Sequence, residues 1–147
     1  MRNNDLRKCG EKIIRVLEEK DGQTFIIDCT RKAIPKWVSC EVLSDFEPCT
    51  DDAVFGLLPD IETLDAQSRK TAYERYTMIS GILPFITDKK RRCCVIDKLS
   101  EEKKISKQTI HDYLWRYLVY QNIAALSPKQ MNAEKELSED EKTSAGH

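Results

Sequence analysis

The spacing of hydrophobic residues predicts strands in the first third of the chain. Residues 12–18 (KIIRVLE) and 24–29 (TFIIDC) are apolar and β-branched, and the turn-forming run KDG at 20–22 lies between them. This arrangement is typical of a β-hairpin. Residues 36–43 (KWVSCEVL) follow a break at Pro35 and predict a third strand. We therefore expect a small N-terminal β-meander or SH3-like sheet.

A connecting segment is predicted after the sheet, and the two together form a β-rich unit over residues 1–61. Residues 44–61 mix proline, glycine and acidic residues without sustained periodicity. Asp51 and Asp52 are the candidate catalytic pair in this segment. Adjacent carboxylates on a loop rarely converge on one reacting atom, and no histidine or third acid supports them, so an exposed acidic turn is the simpler interpretation. The small sheet could bind a ligand or cap a neighbouring module.

The spacing becomes helical after the connector. A helix over residues 62–82 is predicted by apolar residues that recur every three or four positions, namely Ala72, Tyr76, Ile79 and Leu83. Gly81 and Pro84 mark its end, because proline disfavours helical geometry in the residue before it.

Two further helices are predicted, joined by a short polar turn. The first covers residues 89–101 and has Asp88 as its N-cap. Lys103 and Lys104 form the turn, and Ser106 is the N-cap of a helix over residues 107–120. The whole pattern predicts an α+β protein in which residues 62–130 form a helix-turn-helix DNA-binding domain. Residues 131–147 are acidic and nearly devoid of apolar side chains, which predicts a linker or a disordered tail.

The last predicted helix has one apolar stripe, which we expect to be core: Ile110, Tyr113, Leu114 and Tyr117. The opposite side is expected to be exposed, and it carries Lys107, Gln108, Thr109, His111 and Asp112, with Arg116 a turn later. In a helix-turn-helix the N-terminal turns of the second helix enter the major groove.

The predicted contacts divide into base-reading and phosphate-binding groups. Gln108 can pair bidentately with adenine, Lys107 can reach guanine or phosphate, and Thr109 suits phosphate. His111 could donate to a base, although a single histidine on a helix is more often an ordinary surface residue. Ser106 is the N-cap of the helix over residues 107–120, whose first turns are expected to enter the major groove. Phosphates are expected to be bound by the cations of the preceding helix and turn, namely Lys89, Lys90, Arg91, Arg92, Lys103 and Lys104.

The charge distribution agrees with this division, although the net charge of the whole chain is only −1. Residues 1–66 carry 9 basic and 14 acidic side chains, residues 67–130 carry 13 and 6, and residues 131–147 carry 2 and 5. Positive charge concentrated in one module suits a polyanion-binding surface. A solvated helix face is the alternative interpretation of the same basic run.

Other function classes receive little support from the sequence. It has no apolar run long enough to span a membrane and no signal peptide, which predicts a cytoplasmic protein. Its six cysteines include no CxxC pair, and neither histidine lies at ligand spacing from a cysteine pair, so we expect reduced thiols and no metal cofactor. We expect neither enzymatic activity nor a small-molecule substrate.

The order of motifs resembles the N-terminal DNA-binding region of the TnsB/TniA-like DDE transposases, relatives of the Mu-type transposases. Residues 71–128 carry most of the resemblance, and the matching pieces there are Ile82-Leu83-Pro84, Ser106 to Thr109, Arg116-Tyr117, and Ala125-Leu126-Ser127-Pro128. The hairpin region is similar to the small β-domain of that family at Arg15-Val16-Leu17, Asp21-Gly22-Gln23 and Ile34-Pro35.

The resemblance implies recognition of repeated sequences at transposon ends, with other transposition proteins as possible partners. In that family strand transfer occurs in a separate RNase H-like domain with three metal-binding acids, and this chain carries an acidic tail where that domain would follow. The chain is therefore expected to bind double-stranded DNA without cutting it, as part of a transposase or as a free-standing relative. A stand-alone transcriptional regulator and a basic protein-interaction module remain alternatives.

Overall fold

A computed structural model describes residues 4–55 and 59–128, apart from the side chains of residues 52 and 53. The predicted α+β class is confirmed: a five-stranded antiparallel sheet precedes three helices. The predicted tail at 131–147 lies outside the described residues. Within the described ranges, no helix has the length and apolar character needed to cross a bilayer.

The sheet has the strand order β4-β3-β2-β1-β5. Its strands are β1 (Leu6–Cys9), β2 (Lys12–Lys20), β3 (Gln23–Asp28), β4 (Lys36–Ser39) and β5 (Glu47–Cys49). The predicted hairpin is confirmed as β2 and β3. Asp21 and Gly22 connect these strands with φ values of 53° and 75°. A tight hairpin turn of this kind needs positive φ at both central positions, which glycine and aspartate tolerate.

Three predictions about the N-terminal unit are corrected. The predicted third strand ends at Ser39, and residues 40–43 form a 3-10 helix (Cys40–Leu43) whose first turn is capped by the Ser39 hydroxyl. The predicted connector contains β5 and a short helix, α1 (Asp51–Phe55). The sheet also has an additional strand, β1, which pairs with both β2 and β5.

The three longer helices are α2 (Ala66–Ser80), α3 (Lys89–Lys103) and α4 (Lys107–Tyr120). Short 3-10 helices flank them at Ile61–Thr63, Leu83–Phe85 and Ile123–Leu126. The predicted N-caps Asp88 and Ser106 are confirmed, since each side chain accepts from the backbone N–H three residues on. α2 starts later than predicted because Asp65 caps it.

Side chains along the strands point alternately to the two faces of the sheet, and apolar residues are buried on both faces. Ile14, Val16 and Ile26 form one cluster with Leu43 of the 3-10 helix. Ile27 points the other way and belongs to the cluster that the helices bury, among them Ile96 of α3. Successive strand residues face opposite sides, so one hairpin supplies both cores.

Long-range hydrogen bonds also join the sheet to the helices. The Trp115 indole N–H donates to the carbonyl oxygen of Asp28 at 2.9 Å, and the Trp37 indole N–H donates to that of Thr87 at 3.2 Å. The two predicted units therefore pack on a shared core, and the sheet holds α4 in place.

Candidate nucleic-acid interface

The turn between α3 and α4 is three residues long and is fixed by side-chain hydrogen bonds. Lys104 ends α3 in the left-handed conformation, with φ 55° and ψ 43°. The Ser100 hydroxyl donates to the carbonyl oxygen of Ile105 at 2.7 Å. The Ser106 hydroxyl oxygen accepts from the Thr109 N–H at 3.1 Å and lies 2.8 Å from the Thr109 hydroxyl oxygen. The first turn of α4 therefore has a defined direction relative to α3.

The start of α4 is open to solvent. Ser106, Lys107 and Gln108 are exposed, whereas Thr109 and His111 are half-buried. The Lys107 ammonium lies 3.0 Å from a carboxylate oxygen of Asp97 on α3. Both of these side chains are 60% exposed, so the pair contributes little to stability and can be exchanged for a phosphate. The exposed Gln108 amide carries both a donor and an acceptor, the combination that can pair bidentately with adenine.

His111 lies in a small cleft between α4 and the loop that joins β3 to β4. The cleft has a volume of about 190 Å³ and is also lined by Lys32, Ile34 and Gln108. Burial lowers the pKa of His111 below its usual value of 6.5, the nearby Arg92 guanidinium lowers it further, and Asp112 opposes both effects. The lowered pKa favours the neutral imidazole, in which one ring nitrogen donates a hydrogen bond and the other accepts one.

Five of the six predicted phosphate-binding residues are exposed, namely Lys89, Lys90, Arg91, Lys103 and Lys104. Arg91 lies in the first turn of α3, and its Nε is 3.7 Å from the carboxylate of Asp88. Because both side chains are solvated, this pair leaves the guanidinium available to an anion. These exposed cations lie at both ends of α3.

The prediction that the sixth residue, Arg92, binds phosphate is corrected, because only 3% of the surface of Arg92 is exposed. One guanidinium nitrogen donates to the carbonyl oxygen of Ile86 at 2.6 Å, just before α3. Among the described residues, its Nε is one of two buried side-chain atoms without a hydrogen-bond partner. Arg92 is therefore engaged within the fold, and Arg91 is the exposed arginine of this turn.

The prediction that Arg116 is exposed is also corrected, because this residue lies in the core with 4% of its surface exposed. Its Nε–H donates to the carbonyl oxygen of Ala125 at 3.0 Å, and its guanidinium lies 5.4 Å from the centre of the Tyr120 ring. Arg75 of α2 donates in the same way to the carbonyl oxygen of Leu126 at 2.8 Å. The two arginines hold the segment after α4 against the helices, so Arg116 cannot reach DNA from this position.

Sequence reasoning missed two cations beside the interface, Arg31 and Lys32 in the loop between β3 and β4. Lys32 lies 3.2 Å from Asp112 of α4, and 58% of its side chain is exposed. The signal in the sequence is the pair of adjacent cations three residues after the end of β3. It was overlooked because the N-terminal unit as a whole is acidic.

The other candidate chemistry of the sequence concerns Asp51, Asp52 and the cysteines. Asp51 is bound at 2.7 Å by the guanidinium of Arg15, and the side chain of Asp52 lies outside the described set. No group of three potential metal ligands occurs in these ranges. The six cysteines are free thiols, and burial raises the pKa of Cys29 to about 12, which makes it a poor nucleophile.

No protein-family model matches this chain, and a search of curated proteins finds no match.

Proposed function

We propose that α3, the turn and α4 form a helix-turn-helix that binds duplex DNA, with the start of α4 in the major groove. The observation that carries the proposal is the exposed, capped first turn of α4, where Ser106, Lys107 and Gln108 project from a helix whose other side is core. A helix presented in this way can bring side chains to base edges without rearrangement.

The cations around this turn support the same function. Six exposed side chains supply the positive charge, namely Lys89, Lys90, Arg91, Lys103, Lys104 and Lys107. Among them only Arg91 and Lys107 make ion pairs shorter than 4 Å in the described structure, and those pairs are exposed. Lysine and arginine side chains that are free or weakly paired can neutralise phosphates and release the counterions condensed on DNA.

The biological target that we propose is the repeated sequence at the ends of a transposon. This step rests on the resemblance to the DNA-binding region of TnsB/TniA-like transposases. The exposed start of α4 and the cations that flank it support this target, because sequence recognition needs side chains at base edges and cations at phosphates. No group of three potential metal ligands occurs in the described residues. We therefore propose that the chain recognises DNA and that cleavage and joining belong to another domain or protein.

A salt titration of the full chain tests DNA binding. The anisotropy of a labelled duplex is measured between about 50 and 200 mM salt. If four to six of the exposed cations each neutralise one phosphate, the logarithm of the association constant should fall against the logarithm of the salt concentration with a slope of about −4 to −5. A slope near zero, or no binding of any duplex at low salt, would refute the proposal and favour a protein-interaction module.

Footprinting then separates the possible DNA targets. The probe is the genomic DNA that flanks the coding sequence. Protection of repeats at the two ends of the element would support transposon-end recognition. Protection confined to the promoter of the chain's own gene would contradict it and identify a transcriptional regulator.

A further inference from the structure

The loop between β3 and β4, residues 29–35, projects cations and one apolar side chain beside α4. Arg31 is 83% exposed. Ile34 is 57% exposed and is one of three large hydrophobic side chains that are exposed in the described ranges. Ile34 belongs to neither hydrophobic cluster of the described residues, and its side chain is available for contact with a ligand.

Three clefts meet at Ile34, and each contains cations. The cleft of about 380 Å³ includes Lys36 and Lys89, and it reaches the first turn of α3. A cleft of about 120 Å³ includes Lys12 and Arg31. The cleft of about 190 Å³ described above reaches His111 and Gln108 of α4. The loop therefore joins the phosphate-binding end of α3 to the base-reading turn of α4 in one continuous surface.

The acidic groups at this surface are already engaged. A carboxylate oxygen of Asp28 accepts from the Thr30 N–H at 2.8 Å and from the Thr30 hydroxyl at 2.6 Å, and its other oxygen lies 3.7 Å from Arg31. Asp112 is paired with Lys32. The three clefts contain six cationic side chains and only these two carboxylates, so the surface is net positive even with the two acids ionised.

We infer that the β3–β4 loop is a second DNA-contact element, in which Arg31 and Lys32 bind phosphates and Ile34 packs against deoxyribose beside the groove that α4 enters. This inference rests on the proposed function. The backbone of DNA combines phosphates with apolar sugar edges, so a surface that follows it needs cations beside an apolar side chain. A ring of cations around one exposed isoleucine matches that combination.

Two loop variants and one control variant of the full chain test the inference. Arg31→Ala removes a phosphate contact, and Ile34→Ser removes the apolar contact without changing charge. Lys20→Ala is the control, because Lys20 is an exposed cation at the opposite end of the β2–β3 hairpin. Each variant is examined by salt titration and by hydroxyl-radical footprinting, which reports the accessibility of the sugars.

We expect Arg31→Ala to make the salt slope shallower by about 1, and Ile34→Ser to leave it unchanged. Both loop variants should lose protection at one edge of the footprint while keeping its centre, and Lys20→Ala should behave as the wild type. Wild-type slopes and footprints in both loop variants would overturn the inference and leave DNA binding by α4 intact. An equal loss of salt slope and footprint protection in Lys20→Ala would also overturn the inference, since the loss would then reflect the overall charge of the chain and not a contact of the loop. Absence of duplex binding by the wild-type chain would refute both proposals.

Discussion

The guanidinium of Arg15 donates from Nε to the carbonyl oxygen of Val119 at 2.7 Å, across 104 positions of sequence. The same group donates to the carbonyl oxygen of Asn4 and to the carboxylate of Asp51, both at 2.7 Å. Arg15 is 2% exposed, so three acceptors from different parts of the chain share one buried cation. It connects β2 to the last turn of α4.

Replacement of Arg15 by alanine should therefore lower the free energy of unfolding by about 3 kcal/mol, because it leaves a buried carbonyl without a donor and opens a void. Urea denaturation followed by circular dichroism measures the change. Arg91→Ala is the matched control, since Arg91 is exposed and its loss should change stability by less than about 0.5 kcal/mol. Similar stability of the two variants would contradict the central role of Arg15.

Two substitutions at Ser106, the N-cap of α4, distinguish its effect on stability from its effect on DNA binding. Ser106→Ala should destabilise the chain by about 1 kcal/mol, because the Thr109 N–H loses its acceptor. Ser106→Asp keeps an acceptor at the N-cap and should retain stability. Its negative charge would lie at the start of α4 and should weaken binding to all duplexes. Urea denaturation and duplex anisotropy distinguish the two effects, and wild-type DNA affinity of Ser106→Asp would show that this turn does not meet DNA.

Gln108 and Lys104 are expected to contribute differently to binding. Gln108→Ala should reduce the preference for the specific site by about 1–3 kcal/mol while changing affinity for random DNA little. Lys104→Ala should weaken binding to specific and random duplexes alike and make the salt slope shallower by about 1. Competition between the two duplexes measures the preference. Equal losses on both duplexes from Gln108→Ala would mean that α4 does not read bases.

His111 should make stability depend on pH. Its pKa in the folded chain is lowered by burial and by Arg92, so the unfolded chain binds the proton more readily. The stabilisation is complete above pH 6.5, decreases as the pH falls below that value, and levels off below the folded-state pKa. His111→Asn cannot titrate, and its stability should decline less than that of the wild type between about pH 7.5 and pH 5. Parallel pH profiles in urea denaturation would refute this assignment.

Local sequence signals predicted the helices well. Asp88 and Ser106 mark the starts of α3 and α4 because the chemistry of an N-cap lies within a few residues of the cap itself. The β2–β3 hairpin was predictable for a similar reason, since Asp21-Gly22 suits a turn with positive φ. In these elements the residues that determine the structure lie within a few positions of the feature that they predict.

Features that depend on tertiary contacts were not predictable from local patterns. β5 contains Pro48, which argues against a strand, yet an edge strand tolerates proline because one side of it has no partner. Arg116 was predicted on the exposed side of its helix, opposite the apolar stripe, and Arg92 was predicted to bind phosphate from the basic helix before it. Both are buried, and each donates to a carbonyl oxygen in a turn outside its own helix, at Ile86 before α3 and at Ala125 after α4. Helical spacing does not reveal such acceptors.

Asp28 contacts both α4 and the β3–β4 loop, and these contacts affect how the surface formed by the two elements binds a ligand. Its carbonyl oxygen receives the Trp115 indole of α4, while its carboxylate holds Thr30 and Arg31 of the neighbouring loop. One residue at the end of β3 thus sets the spacing between the loop and the helix before any ligand arrives. A surface whose loop and helix are already joined loses little conformational entropy on association, so we expect binding without a folding step.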